Sequence, residues 1–485
     1  MIFPCTMITV FLGFSLFIPS SVFAAEQVDV YKKEAVEWIE ANHRMFDQAA
    51  LAIHGYAEIA LEEYRSSKYL ADMLEERGFI VERGVADMPT AFVASFGSGH
   101  PVIGILAEYD ALPGLSQKPG LTYKEAVEDE APGHGCGHNL FGAGSVAAAM
   151  AVKTVMEKHK LHGTIKLFGC PAEETVVGKV YMAKAGIFEG LDVCFTWHPG
   201  SENRVNLCAT RALNNFEVVF HGKTAHGSSD PWNGRSALDA VELMDTGVNY
   251  LREHVKDSVR IHYVINHGGK APNIVPDYAR VWYFVRDADR KGVDEVYQRV
   301  LKCAEGATLM TDTTMEVNLI TGVYEYLPNH VLSEVLDRNL RIIGVPHFTE
   351  EENAFGKALQ SSLGKEEKGF STEIEEFKEP EQISGGSTDV ADVSWIVPTA
   401  GELSTVCMPL DTPGHSWGVT TCSGSSIGLK GMQVASKVLA VSGIEVIMDS
   451  GIVKKAQEEF EQKTEGFTYK SAVTKDRKPP YPQNE

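Results

Sequence analysis

Between residues 101 and 200, short apolar runs alternate with a longer stretch of helical spacing. Three runs are each typical of a strand followed by a polar loop: PVIGILAEYDALPG (101–114), GTIKLFGCPAEE (163–174) and GLDVCFTWHPG (190–200). The segment at 140–160, LFGAGSVAAAMAVKTVMEKHK, is typical of a helix with small residues on its inner side. This alternation predicts an α/β fold with a mostly parallel sheet flanked by helices.

A different pattern after about residue 208 indicates a second domain. Strand-like and helix-like segments succeed each other there in the order β-α-β-β-α-β, which is typical of a ferredoxin-like α+β module. A length of 485 residues also favours more than one domain. We predict a first domain over 26–207 and 325–466, an inserted lid or dimerisation domain over 208–324, and a loose tail over 467–485.

The N-terminal segment is typical of a secretory signal peptide. It is apolar, has no charged side chain before Glu26, and ends in the small residues Ala24 and Ala25. We therefore predict a signal peptide over 1–25 and a periplasmic or secreted protein, with an uncleaved membrane anchor as the alternative. Apolar residues at helical spacing then predict helical structure over 27–87.

The charge of the chain excludes some classes of partner. The formal net charge is −22, and both nucleic acids and anionic membrane surfaces attract basic patches instead. We therefore expect no nucleic-acid partner and, once the signal peptide is removed, no membrane partner.

The stretch HGCGHN (134–139) places Cys136 and His138 in a glycine-rich turn. Thiolate and imidazole are usual ligands for zinc-like metals, and glycines allow a bent backbone to direct both side chains at one point. Taken alone, the stretch fits a glycine-rich turn at a helix start about as well.

Three other polar sites follow predicted strands or turns. Glu173 and Glu174 are adjacent in CPAEE, and neighbours in an extended segment point in opposite directions, so one can bind a metal while the other faces a water. His198 lies in TWHPG and His415 in TPGHSWG. Each site alone would fit an exposed acidic loop or a structural histidine. Together the sites supply five ligands, enough for a dinuclear metal centre: Cys136, His138, Glu174, His198 and His415.

The chain resembles the M20 metallopeptidase and amidohydrolase family, and most of all its aminobenzoyl-glutamate-hydrolysing branch. The resemblance covers roughly residues 30–460 and rests on AEYDALPG, GHGCGHN, CPAEE, TWHPG, GKTAHGSSDPWNGRSALDAVE, APNIVPDYARVWYFVRD, GGSTDVADVSW and TPGHSW, in family order. It implies a di-metal exopeptidase-like catalytic domain, interrupted by a lid or dimerisation domain. It also implies two divalent metal ions, zinc or manganese.

The resemblance implies a role for each matching residue. Glu173 would be the general base, and Asp110 would orient a group of the metal site. His226 would stabilise the oxyanion, often in the site of a partner subunit, while Asn273 and Arg286 would grip the carbonyl and carboxylate of the substrate. The metal ligands would be Cys136, His138, Glu174, His198 and His415.

Two positions depart from the pattern of that branch. Many relatives have Asp where this chain has Asn139, and many carry a further His where it has Leu140 and Phe141. Asn139 occurs in the aminobenzoyl-glutamate type, so it narrows the assignment without threatening the metal site. The predicted signal peptide also distinguishes this chain from a cytoplasmic enzyme of the aminobenzoyl-glutamate type.

The predicted activity is metal-dependent hydrolysis of the amide bond of N-acyl amino acids, with Glu173 as general base for a metal-activated water. The alternatives are a dipeptidase or carboxypeptidase of the same family, and a catalytically silent partner subunit on the same fold. A thiol hydrolase based on Cys136 would leave the adjacent Glu173 and Glu174, and both distant histidines, without a role. The inserted domain favours a homodimer or a heteromer with a related subunit.

Overall fold

A computed structural model describes residues 20–378 and 382–481, with side chains from residue 27 onward. The predicted signal peptide, residues 1–25, lies outside the described residues except where the first helix begins.

A seven-stranded sheet forms the centre of the first domain. In spatial order its strands are β1 (Ile80–Arg83), β2 (Phe92–Ser98), β4 (Gly163–Cys170), β3 (Val102–Glu108), β5 (Val193–Phe195), β13 (Thr399–Ala400) and β12 (Pro328–Asn329). The five strands from β4 to β12 are parallel, whereas β2 is antiparallel to both β1 and β4. The mostly parallel α/β sheet expected from the alternating pattern is confirmed.

Helices cover this sheet, so its central strands are buried on both faces. The helices are α1 (Ser20–Tyr56), α2 (Tyr64–Glu76), α3 (His138–His159), α4 (Gly178–Lys184), α7 (His330–Ile343), α8 (Glu350–Ser362), α9 (Val390–Ser394), α10 (Trp417–Ser423), α11 (Ser426–Met448) and α12 (Ser450–Thr464). Helices α3 and α11 are long and apolar enough to cross a membrane, yet 89% and 72% of their most apolar windows are buried inside the protein. Burial of this kind is expected of core helices.

The prediction of helix throughout 27–87 is correct for α1 and α2 but wrong for β1. Ile80 and Val81 are β-branched, and the segment pairs with β2, which follows after a short connection. Pairing with a neighbouring strand therefore overrides the helical spacing at this point.

A small three-stranded sheet lies beside the main one. Its central strand β14 (Glu402–Val406) pairs in parallel with β6 (Trp197–Gly200) and antiparallel with β7 (Arg204–Asn206). His198, expected in a loop after a strand, therefore lies within β6. Strand pairing to β14 holds its backbone in place.

The inserted module folds around an antiparallel four-stranded sheet in the order β11-β8-β10-β9. Its elements along the chain are β8 (Ala212–His221), α5 (Ala237–Leu251), β9 (Arg260–His267), β10 (Tyr278–Asp287), α6 (Arg290–Thr311) and β11 (Thr314–Val323). This is the predicted β-α-β-β-α-β order. Buried residues alternate along β10 because one face of the sheet packs against α5 and α6.

The C-terminal tail, expected to be loose, packs on the first domain as far as Tyr481. Val473 is only 4% exposed, and the Tyr469 hydroxyl donates a hydrogen bond of 2.5 Å to buried Asp392. The Tyr324 hydroxyl donates to the Lys470 carbonyl at 2.8 Å. A few apolar and aromatic residues therefore anchor this polar segment to the first domain. The overall polarity of the segment does not reveal these contacts.

Candidate metal centre

Polar residues from three segments meet at the carboxyl edge of the main sheet. Asp110 follows β3, and Glu173 and Glu174 follow β4, which lies beside β3 in parallel. Cys136 precedes α3, and His138 is the first residue of that helix. Neighbouring parallel strands end on the same edge, so the sheet brings these side chains together.

The five predicted ligands converge into two groups that share Cys136. In one group, the ligand atoms of Cys136, His138 and His198 lie within 4.8 Å of one another, and the Cys136 Sγ is 3.3 Å from the His198 Nε2. In the other, Cys136 lies within the same distance of Glu174 and His415, and the Glu174 Oε2 is 3.4 Å from the His415 Nε2. A shared thiolate sulfur between two sets of ligands is suited to bridging two cations.

Asp110 orients two members of this cluster. Its Oδ1 lies 2.8 Å from the His138 Nδ1, and its Oδ2 accepts a hydrogen bond of 2.8 Å from the Glu174 backbone N–H. Because Asp110 occupies the Nδ1 of the His138 ring, the Nε2 on the other side of the ring faces the candidate metal centre. A carboxylate on the far nitrogen of a ligating histidine is a frequent feature of metal sites.

Two buried polar atoms of the cluster test whether a cation fits. Among the described residues, neither the His138 Nε2 nor the Glu174 Oε1 has a hydrogen-bond partner, although the Glu108 Oε2 lies 3.3 Å from the His138 Nε2. Buried polar atoms are nearly always satisfied, so unpaired atoms beside a thiol and two further imidazoles call for a ligand. The donor set of sulfur, imidazole and carboxylate matches a divalent transition metal.

A strained turn carries the two carboxylates. Ala172 and Val176 have left-handed φ angles of 57° and 52°, so the segment is not extended as the sequence reasoning assumed. The buried Glu63 stabilises the turn, because its Oε1 accepts a hydrogen bond of 2.8 Å from the Ala172 N–H. The carboxylates nevertheless diverge: Glu173 lies 3.9 Å from the His138 Nε2, and Glu174 lies 3.8 Å from its Nδ1.

Burial and mutual charge shift the pKa values of the cluster. Burial, then the neighbouring Cys136, raises the pKa of Glu174 to about 9. Burial, then Glu108 and Asp389, raises the pKa of the Glu173 carboxyl well above its usual value. Against the opposing effect of burial, the Cys136 thiolate raises the pKa of His198 to about 10. Without a metal, these groups therefore hold protons near neutral pH.

A cavity of about 280 Å³ opens onto the cluster. Its wall includes Glu173 and, from strand β10 of the inserted domain, Arg286, whose Nε is buried without a partner in the described structure. His226 and Asn273 do not line this cavity. They are exposed and adjacent on the inserted domain, where the Gly227 N–H donates to the Asn273 carbonyl at 2.8 Å.

Asn139, Leu140 and Phe141, which depart from the pattern of the family branch, make packing and hydrogen-bond contacts beside the metal centre. The Asn139 amide donates to the carbonyls of Ala50 and Ser423, at 3.1 and 3.0 Å, and so ties α3 to α1 and α10. Leu140 is fully buried in the core. Phe141 lines the cavity, with its ring edge-on to those of His138 and His198. An apolar wall therefore stands where many relatives carry a further histidine.

The sequence reasoning missed a buried charge cluster beside the metal centre. Lys179 is fully buried, and its Nζ lies 2.6 Å from both Glu108 and Asp389. Glu108 and Asp389 lie in AEYDALPG and GGSTDVADVSW, two of the segments on which the family resemblance rests. These segments were the signal that could have identified both residues as part of the site. Nothing in the sequence around Lys179 indicates that its side chain is buried.

Known proteins resemble this chain along most of its length. The pattern of peptidase family M20/M25/M40 matches residues 104–416. One subunit of the p-aminobenzoyl-glutamate hydrolase of Escherichia coli K12 is 39% identical over 469 residues, covering 91% of this chain and 97% of the relative. The Xaa-Arg dipeptidase of Mus musculus is 28% identical, and the similarity covers 91% of this chain and 94% of the dipeptidase. A dinuclear metal-binding M20 peptidase from Bacillus subtilis has the same fold, with a TM-score of 0.54, 18% identity, and coverage of 84% and 99%.

Metal binding should release protons, because Glu174 and His198 must lose theirs before they can act as ligands. Since both pKa values are raised, the affinity for Zn²⁺ should increase as pH rises from about 6 to about 8. Calorimetric titration at constant pH, in buffers of different ionisation enthalpy, counts the protons released. Glu174→Gln should release fewer protons, and heats that do not depend on the buffer would contradict this account.

Proposed function

The chain belongs to peptidase family M20/M25/M40, and from this premise we propose that it hydrolyses the amide bond of N-acyl amino acids of the aminobenzoyl-glutamate type. One observation carries the proposal: five candidate metal ligands cluster beside a cavity whose wall includes Glu173. The substrate class is supported by the similarity along nearly the whole chain to a hydrolase of p-aminobenzoyl-glutamate.

We propose two divalent cations, zinc or manganese, held by the two groups that share Cys136. Cys136 and His198 suit zinc, while the carboxylate and imidazoles of Glu174, His138 and His415 suit manganese as well. When bound, such cations polarise a carbonyl and lower the pKa of water.

Glu173 is the proposed general base. It takes a proton from the water whose oxygen attacks the amide carbon, and it returns a proton to the amine nitrogen as the C–N bond breaks. The products are a carboxylic acid and an amino acid. Burial raises the pKa of Glu173, which makes its carboxylate form a stronger acceptor for the proton of the water. Cys136 serves as a ligand, so no acyl-enzyme forms.

Arg286 is proposed to bind the carboxylate of the amino-acid part. Its guanidinium lines the cavity, and charge-assisted pairing with a carboxylate would satisfy the buried Nε. Burial and then the nearby Arg211 lower the pKa of Arg286, so a carboxylate bound beside Arg286 would offset both its lost hydration and its repulsion by Arg211.

A dipeptidase is the second candidate function. Glu402 lies on the cavity wall, and its carboxylate could pair with a basic side chain such as that of an Xaa-Arg dipeptide. The similarity to an Xaa-Arg dipeptidase favours the same function. Measuring kcat/KM for p-aminobenzoyl-glutamate and for a panel of Xaa-Arg dipeptides distinguishes the two candidate functions. The substrate class with the higher kcat/KM identifies the function.

Replacing the base should separate catalysis from metal binding. Glu173→Gln removes the proton carrier but leaves the five ligands intact, so kcat should fall by at least about 100-fold with metal content unchanged. Metal analysis and steady-state kinetics on p-aminobenzoyl-glutamate provide the measurement. The exposed Glu75→Gln is the matched control. A metal-loaded Glu173→Gln variant with native kcat would refute the assignment of the base.

We propose that the active form contains a second subunit, either another copy or a related chain. The edge strand β9 of the inserted domain exposes Val264 and Ile265, by 62% and 40%, next to an unpaired strand edge. His226 and Asn273 lie outside the cavity of their own chain, so they are free to complete the site of a partner.

Subunit mixing tests this arrangement. If His226 acts in the partner's site of a homodimer, a mixture of inactive His226→Ala and inactive Glu173→Gln chains should regain activity at about a quarter of the sites. Activity is measured after the two variants have been dissociated and reassociated together. Two inactive variants that stay inactive when mixed, although heterodimers form, would contradict the shared site.

We also propose that the protein is exported. The support is the apolar N-terminal segment with small residues at Ala24 and Ala25. N-terminal sequencing of the protein from its native source should start at Ala25 or Glu26. A sequence that starts at Met1 would contradict cleavage.

A further inference from the structure

A buried lysine links three segments beside the metal centre. The Lys179 Nζ lies 2.6 Å from the Glu108 Oε1 and 2.6 Å from the Asp389 Oδ1. The Lys179 backbone N–H donates to the Asp389 Oδ2 at 2.8 Å, so this carboxylate holds the lysine at two points. All three side chains are almost fully buried. The contacts join the end of β3, the start of α4 and the residue before α9.

Glu108 connects this cluster to the metal centre. One of its oxygens is held by Lys179, and the other lies 3.3 Å from the His138 Nε2. That nitrogen is also 3.9 Å from Glu173. Ligand atoms of Glu108, His138 and Glu173 all lie within 4.8 Å of one another. Glu108 therefore shares a wall of the site with the proposed base.

We propose that Lys179 is a positioning residue of the hydrolytic site. By binding the Glu108 Oε1, it leaves one oxygen of this carboxylate directed at His138 and prevents Glu108 from turning toward the cations with both oxygens. Glu173 then remains free to carry protons. The proposal rests on the metal-dependent hydrolysis proposed above.

The charges of the cluster explain why a lysine is suited to this role. Four carboxylates crowd the site edge: Glu108, Asp110, Glu173 and Glu174. A carboxylate without a fixed partner would be a strong competing ligand for a divalent cation. Lys179 supplies a fixed positive charge that cannot itself bind a metal while it is protonated. It thereby removes one carboxylate oxygen from competition.

A purely structural role for Lys179 makes a different prediction. Lys179→Met alone would leave Glu108 and Asp389 buried without their cation, and loss of folding could then hide any effect on the site. The double variant Lys179→Met/Asp389→Asn removes one positive and one negative charge, so the net charge of the cluster stays the same. Only Glu108 loses its partner. If the lysine merely joins α4 to α9, this variant should behave like the native protein once folded.

Cobalt substitution provides a readout that is independent of activity. In the Co²⁺-loaded double variant, Glu108 should turn toward the metal, so the visible absorption bands should shift in position and intensity. We expect kcat to fall by about tenfold or more and KM to change by less than about threefold. A folded double variant with native cobalt bands and native kcat would overturn the proposal.

Glu108→Gln provides the decisive second variant. It leaves Lys179 paired with Asp389 as a neutral pair, so it should fold whether or not the double variant does. Because no carboxylate then remains at this position to compete for the cations, the proposal predicts near-native cobalt bands and kcat for Glu108→Gln. It also predicts that adding Glu108→Gln to the double variant restores the native bands. Altered bands in Glu108→Gln, or bands that stay altered when it is added to the double variant, would overturn the proposal. Lys437→Met/Glu40→Gln is the matched control, because it removes a 2.7 Å ion pair between α11 and α1. A native protein that binds Co²⁺ but hydrolyses none of the amides would instead refute the proposed function.

Discussion

The carboxylate of Asp110 holds the two halves of the metal centre together. It contacts the His138 imidazole with one oxygen and the Glu174 backbone with the other, each at 2.8 Å. The contact can form because β3 and β4 are adjacent and parallel, so the residues after them meet at one edge. Cys136, which precedes α3, and His198 on β6 then close around His138.

The site concentrates ionisable groups, and it contains buried polar atoms that the described residues leave without hydrogen-bond partners. Burial and then Cys136 raise the pKa of Glu174 to about 9, and, against the effect of burial, His198 and then His138 lower the pKa of the Cys136 thiol. The His138 Nε2 and Glu174 Oε1 have no hydrogen-bond partner in the described structure. The surrounding fold stabilises this arrangement through Glu63, which supports the turn at Ala172, and through Lys179. A site of this kind gains stability when cations bind, which links folding, proton release and the proposed catalysis.

Much of this architecture could be predicted from the sequence, because local periodicity marks the strands and the short motifs mark the ligands. Other features depend on contacts between distant segments. His198 lies in a strand only because β14, some 200 residues later, pairs with it. The turn at Ala172 depends on Glu63, and the burial of Lys179 depends on Asp389. The tail pattern is polar, yet Tyr469 reaches the buried Asp392.

The central claim is that five side chains from distant segments bind a pair of cations. Crystals of the Zn²⁺-loaded protein, measured at wavelengths on either side of the zinc absorption edge, test it most directly. We predict two anomalous peaks beside Cys136, one contacting His138 and His198 and the other contacting Glu174 and His415. Peaks elsewhere on the protein, or no ordered zinc at these residues in crystals shown to contain the metal, would contradict the account.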